Sequence, residues 1–383
     1  MRRWIGIATA LAVLLACAAC GDDEQQAEQE RDAQTRAIMD EILSALQVAL
    51  PASANLERMR APQNRAEIGA ALDALARNTK ALEVHTRPRD ARMHQLARSV
   101  ARDARATRRA FEEGRYGRSA FLLREITENC VVCHSRLPSP GDSPMAEEFL
   151  ATEDLVALPP EPRATLQIAT RRFDDALTTL EELILSSEHP ALLLGPITDY
   201  LTISIRVKGD FDRPAQTLRQ LAQNPHVWEQ LRLDIEGWIA ALESIKGRVG
   251  RKPDLATARE LLDEGKRMVD YPQDHAALVH FVAASAILER YVAEHREPSP
   301  ELAEAYYRLG VVQATIGRNY WVTEAPFLLE TAIRMAPDQP FARDAYALLE
   351  RELLLQYEGA DEEELPAPDA AWLAELRGLM RGN

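Results

Sequence analysis

Cysteine is scarce in this chain: four in 383 residues, two of them within the first twenty. Past residue 20 only Cys130 and Cys133 remain, so a framework of structural disulfides is excluded. No run after residue 16 is apolar for long enough to cross a bilayer. Runs of β-branched residues are scarce too, which speaks against a sheet. The chain lacks a Gly-rich phosphate loop, a hydrolase-type serine motif and a zinc-protease His pair. Its later histidines, His189, His226, His275, His280 and His295, are scattered. His275 and His280 are five apart and share no helix face well. No hydrolytic constellation stands out.

What the chain has in quantity is Ala, Leu, Glu and Arg, with apolar residues at helical spacing almost throughout. The expected fold class is all-α. Charge is unevenly spread. Residues 21–140 carry 19 Lys+Arg against 18 Asp+Glu, whereas residues 141–383 carry 24 against 42. The second half would repel phosphate, so nucleic acid is excluded as its partner. Clustered Pro, Gly and Ser over Pro138–Pro144, then Pro159, Pro160 and Pro162, divide the chain. The organisation read from this is a leader at 1–20, a polar tether at 21–29, and a helical bundle at 30–140. A linker at 141–162, helical hairpins at 163–357, and an acidic loop with a last helix at 358–383 follow.

Four amphipathic helices are expected in 30–140. The first, about Glu30 to Leu50, buries Ile38, Ile42, Ala45 and Ala49, with Met39, Leu43, Leu46 and Leu50 beside them, and stops at Pro51. The second starts at Asn64 with Glu67 as a capping-box-like pair, and its stripe is Ile68, Leu72, Leu75, Thr79 and Leu82. The third starts near Pro88 and carries Met93, Leu96, Val100, Ala104, Thr107 and Phe111. Its Arg98, Arg102, Arg105 and Arg109 form a row that reads as a solvated face or as a basic face for acidic partners or lipid heads. The fourth carries Phe121, Leu122 and Ile126, and then the pentapeptide Cys130-Val131-Val132-Cys133-His134.

That pentapeptide is the Cys-x-x-Cys-His pattern of covalent c-type haem attachment. The thiols of Cys130 and Cys133 add to the haem vinyl groups as thioethers, and His134 supplies the proximal nitrogen to iron. A redox dithiol would need a βαβ setting that the chain lacks, and a structural zinc would need a second ligand pair. The expected cofactor is therefore one covalent haem c.

Motif position narrows the class. About three helices precede the pentapeptide, and the bundle ends just after it. This order resembles the class II cytochromes c, of the cytochrome c′ and cytochrome c556 type, over about residues 30–140. The family commonly has an aromatic and a basic residue soon after the His; here Ser135-Arg136-Leu137 keeps only the basic one. The resemblance implies a four-helix bundle and a second axial site on the first helix. Arg36-Ala37-Ile38-Met39 resembles the Arg-then-Met stretch of such helices, which makes Met39 the expected sixth ligand. The other reading of Met39 is packing against the porphyrin. His85 and His94 are the alternative ligands.

The N-terminus fits export. Met1-Arg2-Arg3 is a basic start, and Ile5 to Ala16 is an apolar stretch too short to span as a mature helix. Small residues before a Cys resemble the lipobox of bacterial lipoproteins. Cys20, after Ala18-Ala19 and before Gly21, is the expected lipidation site; Cys17, with Leu14 correctly placed, is the alternative. The expected location is the periplasmic side of a bacterial membrane, held by a lipid anchor.

One stretch of the second half resembles a tetratricopeptide repeat. Leu309-Gly310 falls in a first helix, Ala325, Leu329 and Ala332 in a second, and Pro337 closes it. An insertion holding Asn319-Tyr320-Trp321 departs from the repeat. Ala176 and Leu180, then Ala258, Leu262 and Gly265, are fainter echoes. Stacked hairpins form concave surfaces for protein partners, which Tyr306, Tyr307, Tyr320 and Trp321 would line unless they pack between repeats. The functional expectation is electron transfer or redox relay, with haem chemistry in 30–140 and redox or assembly partners docking on 163–357. The alternatives are a scaffold with a structural or regulatory haem, and a gas sensor or peroxide-reactive site with five-coordinate iron.

Overall fold

The computed structural model describes residues 5–87, 91–136, 158–249, 254–269, 274–316, 324–357 and 365–381. Sixteen α-helices and no strand occur among the described residues, so the chain is all-helical. It divides into two compact units, Met1–Arg124 and Glu125–Asn383. The division lies upstream of the Pro-rich segment that suggests a boundary in the sequence; residues 137–157 lie outside the described ones.

The first unit begins with α1, Ile5–Ala54, an unbroken helix of 50 residues. It runs through residues 21–29, expected as a tether, because Glu, Gln and Ala there are strong helix formers. Pro51 does not stop it but sits inside its last turn. Short α2 (Leu56–Arg60) follows, capped by Asn55, whose side chain accepts from the backbone N–H of Glu57 and Arg58. Then come α3 (Arg65–Thr86), α4 (Ala91–Glu112) and α5 (Tyr116–His134). The expected Asn64 cap of α3 does not form; Asn64 Nδ2 donates instead to Arg58 O at 3.0 Å.

These helices alternate in direction. Thr35 on α1 meets His85 near the end of α3. Glu83 on α3 meets His94 near the start of α4, and Asp73 meets Arg108 further along. Thr107 and Phe111 near the end of α4 meet Ser119 and Tyr116 at the start of α5. The stripe on α3 is buried in full, as are Leu96, Val100, Ala104, Thr107 and Phe111 on α4. Phe121 is exposed, however, and Ala120 and Leu123 are buried in its place.

The second unit holds the end of α5 and a run of paired helices. These are α6 (Pro160–Ala169) with α7 (Phe173–Ser186), α8 (Leu194–Thr202) continuing into a π-helical segment Ile203–Lys208, α9 (Asp212–Leu221) with α10 (Glu229–Ile245), and α11 (Leu255–Met268) with α12 (Leu278–Glu294). Further on, α13 (Pro300–Ile316) pairs with α14 (Ala325–Met335), followed by α15 (Pro340–Tyr357) and α16 (Ala367–Arg381). One apolar core extends from Val131 on α5 to Leu328 on α14; a second joins Leu329 and Ile333 to α15 and α16. At Gly310 the helices of one pair come so close that a Cβ would lie 2.8 Å from Leu329 Cδ2. Gly265 plays the same part on α11, where a Cβ would lie 3.1 Å from Phe281. Tyr307 stacks on Phe341, so it packs between helices rather than lining a surface. Tyr320 and Trp321 lie outside the described residues.

Candidate haem-attachment site

The pentapeptide is the last turn of α5 and belongs to the second compact unit. At helical spacing Cys130 stands three residues from Cys133 and four from His134, which puts all three on one face. Val131 is buried in the apolar core to which Ala164, Ile168 and Ala169 of α6 also belong. The two cysteines are half-buried thiols, not a disulfide. Burial pushes the Cys130 thiol up to about 12, and the neighbouring Cys133 and Glu128 add to the rise. Reactive dithiols do the opposite and hold a thiolate near neutral pH. Cys130 is therefore poorly suited to open a disulfide exchange.

His134 makes the decisive contact. Its Nδ1 lies 2.6 Å from the carbonyl oxygen of Ala169, the last residue of α6. A carbonyl can only accept, so Nδ1 carries the proton. Burial lowers the imidazole to about 4; the nearby Arg171 adds to that, and the Ala169 bond partly offsets it. The ring is thus neutral at pH 7, and a neutral ring protonated at Nδ1 presents a bare lone pair on Nε2. That is the form in which histidine binds a metal, with its other nitrogen tied to a carbonyl.

No family model, curated protein or solved structure matches this chain. The site must be judged on its own residues. Two thiols a helical turn apart and an adjacent imidazole, neutral and fixed in tautomer, suit a covalently attached haem. Among the described residues no group of three or more His, Cys, Asp or Glu side chains is arranged to hold a metal ion.

The end of α6 explains why Ala169 is available. The last carbonyls of a helix lack intrahelical partners. Here Thr170 N–H donates to Leu166 O, Arg171 N–H to Ile168 O, and Arg172 N–H to Gln167 O, at 2.8–3.0 Å. This is a Schellman closure, and its left-handed position is filled by Arg171 at φ +64° instead of a glycine. The next carbonyl is that of Ala169, and His134 takes it. Beyond the pentapeptide, Arg136 Nε lies 3.5 Å from Glu289 Oε2 on α12. The Glu289 side chain is fully buried, and that of Arg136 is 12 % exposed.

The other sequence-derived residues fall elsewhere. Met39 is half-buried on α1 in the first unit, whereas His134 is in the second. The two alternative ligands are engaged within the first unit. His94 Nδ1 donates to Glu83 O at 2.9 Å, and His85 Nε2 lies 2.9 Å from Thr35 Oγ1. Arg98, Arg102, Arg105 and Arg109 are exposed, but Arg102 pairs with Asp103 and Arg105 lies 3.9 Å from Glu83. Cys17 and Cys20 fall on α1. Among the described residues no helix is long and apolar enough to cross a membrane. Sequence reasoning missed Ala169, Arg171 and Glu289. Only Glu289 left a trace, as an acid directly after Ala286, Ile287 and Leu288 on α12.

Proposed function

We propose that this chain is an exported haem c protein that carries electrons between protein partners. The observation that carries the reading is His134, set directly after the two cysteines, neutral, with Nδ1–H given to Ala169 O. Haem c, when bound, supplies a one-electron iron couple. Cys130 and Cys133 would hold it as thioethers. His134 would ligate through Nε2, and the Ala169 carbonyl would keep the ring from rotating. Met39 is proposed as the sixth ligand on the class II cytochrome resemblance. The leader and Cys20 support a lipid anchor on the periplasmic side of a membrane, and the acidic helical pairs downstream offer protein partners a surface.

The test is the absorption spectrum of the purified protein, oxidised and reduced. Low-spin iron with a methionine–iron charge-transfer band, cycling reversibly, is the expected result, and Met39→Ala should convert it to high spin. A five-coordinate wild type that takes up carbon monoxide and exchanges no electrons with protein partners would replace electron transfer with gas sensing.

A further inference from the structure

We propose that the closing turn of α6, with Arg171 in its left-handed position, and the buried Arg136–Glu289 pair are the positioning elements that set the His134 imidazole for iron. The inference rests on the haem reading above and deepens it. The ligand would then be aimed by the helical unit that follows the pentapeptide in sequence, not only by the helix that bears it.

Three observations converge. The first is the Schellman closure itself. It consumes the carbonyls of Leu166, Gln167 and Ile168 and brings Ala169 O next in line, where His134 Nδ1 meets it at 2.6 Å. The second is the residue in the left-handed slot. Arg171 is the sole non-glycine residue with positive φ among the described residues, and glycine would adopt that conformation with less strain. Strained backbone of this kind persists where the surroundings fix it, often beside functional groups. The third is the polar face of α12. Arg206, from the π-helical segment, donates to Ser285 Oγ at 3.1 and 2.8 Å. One turn on, Glu289 takes Arg136, two residues past the ligand. Two largely buried arginines thus meet adjacent turns of one helix, and one of them anchors the end of the segment that bears the pentapeptide.

The carbonyl bond has an electronic consequence. A proton shared from Nδ1 makes Nε2 a stronger donor, which favours the oxidised iron. The turn of α6 would therefore tune the couple as well as the ring angle.

The experiment uses the full chain with isotope-labelled histidine. In the haem-free protein, imidazole nitrogen shifts report the tautomer of His134, assigned with His134→Gln. In the haem-bearing protein, the reduction potential is read. The wild type should show the proton on Nδ1. Arg171→Pro cannot adopt positive φ and lacks the N–H that closes the turn. It should give a mixed tautomer and a higher potential. Arg171→Gly keeps the turn and should retain the wild-type tautomer. Glu289→Gln, nearly isosteric and so a safeguard if the proline variant loses helix, should shift both readouts in the proline direction. Wild-type values in both Arg171→Pro and Glu289→Gln would overturn the proposal, as would equal shifts in Arg171→Gly and Arg171→Pro. Haem on the cysteines with His134 protonated at Nε2 would sink this inference and leave the haem reading standing. An Nδ1 proton without any covalent haem would sink the haem reading, and the iron-directed role with it.

Discussion

Glu289→Leu is the sharpest perturbation of the second unit. The Glu289 side chain is fully buried, and it faces Arg136, whose side chain is 12 % exposed. Removing one partner of a buried ion pair typically costs about 3–5 kcal/mol, because the other charge is left in low dielectric. The Arg136 contact is a long one, at 3.5 Å, and Arg136 can lean toward water, so the lower edge applies. About 3 kcal/mol is expected. With a urea slope of about 3 kcal/mol/M, the midpoint should fall by about 1 M. Tryptophan fluorescence follows the transition, since Trp238 is buried in the same core and donates to His275 O. The companion is Arg136→Leu with Glu289→Leu. Replacing both charges by apolar groups should return stability to within about 1 kcal/mol of wild type. A double variant as damaged as the sum of the singles would refute the pairing. So would a Glu289→Leu protein with an unchanged midpoint.

Three further outcomes follow from the structure. His134 is depressed in the fold to about 4 from an ordinary 6.5, so the unfolded chain binds the proton first as pH falls. Its contribution is complete above pH 6.5 and is lost between 6.5 and 4, amounting to up to about 3 kcal/mol in the haem-free protein; His134→Gln should flatten that stretch of the stability–pH curve. Gly310→Val should lower stability by about 1–3 kcal/mol through overpacking against Leu329, while Gly237→Ala, with open space around its Cβ, should not destabilise in the same thermal melt. Metabolic labelling with a fatty acid should mark the wild type and not Cys20→Ala; label that persists in the variant would move the anchor to Cys17.

The stripes of the first unit were legible because burial of one helix face imposes a period that any amphipathic helix must show. Ile68, Leu72, Leu75, Thr79 and Leu82 are buried as that period requires. Helix ends were less legible, since local alternatives compete there. Asn64 bonds back to Arg58 O instead of capping α3, and α1 carries on through Pro51. The pairing of α13 with α14 could be read from Gly310, Ala325, Leu329 and Ala332, because small residues permit that close approach. At the candidate site the two cysteines and the histidine were plain in the sequence, whereas their supports were not. Arg171 occupies a conformation that a sequence signals with glycine, and Ala169 acts through its backbone. Neither leaves a side-chain signature. The partnership of Arg136 with Glu289 spans 153 residues and depends wholly on tertiary packing.

Covalent haem is the claim on which the functional reading stands, and one measurement tests it. The chain is expressed with its leader alongside a periplasmic cytochrome maturation system, purified, and run on a denaturing gel stained for haem peroxidase activity. The stain should travel with the protein band and vanish in the Cys130→Ser, Cys133→Ser double variant. An intact, folded wild type that carries no stain through denaturation would contradict haem attachment at Cys130 and Cys133.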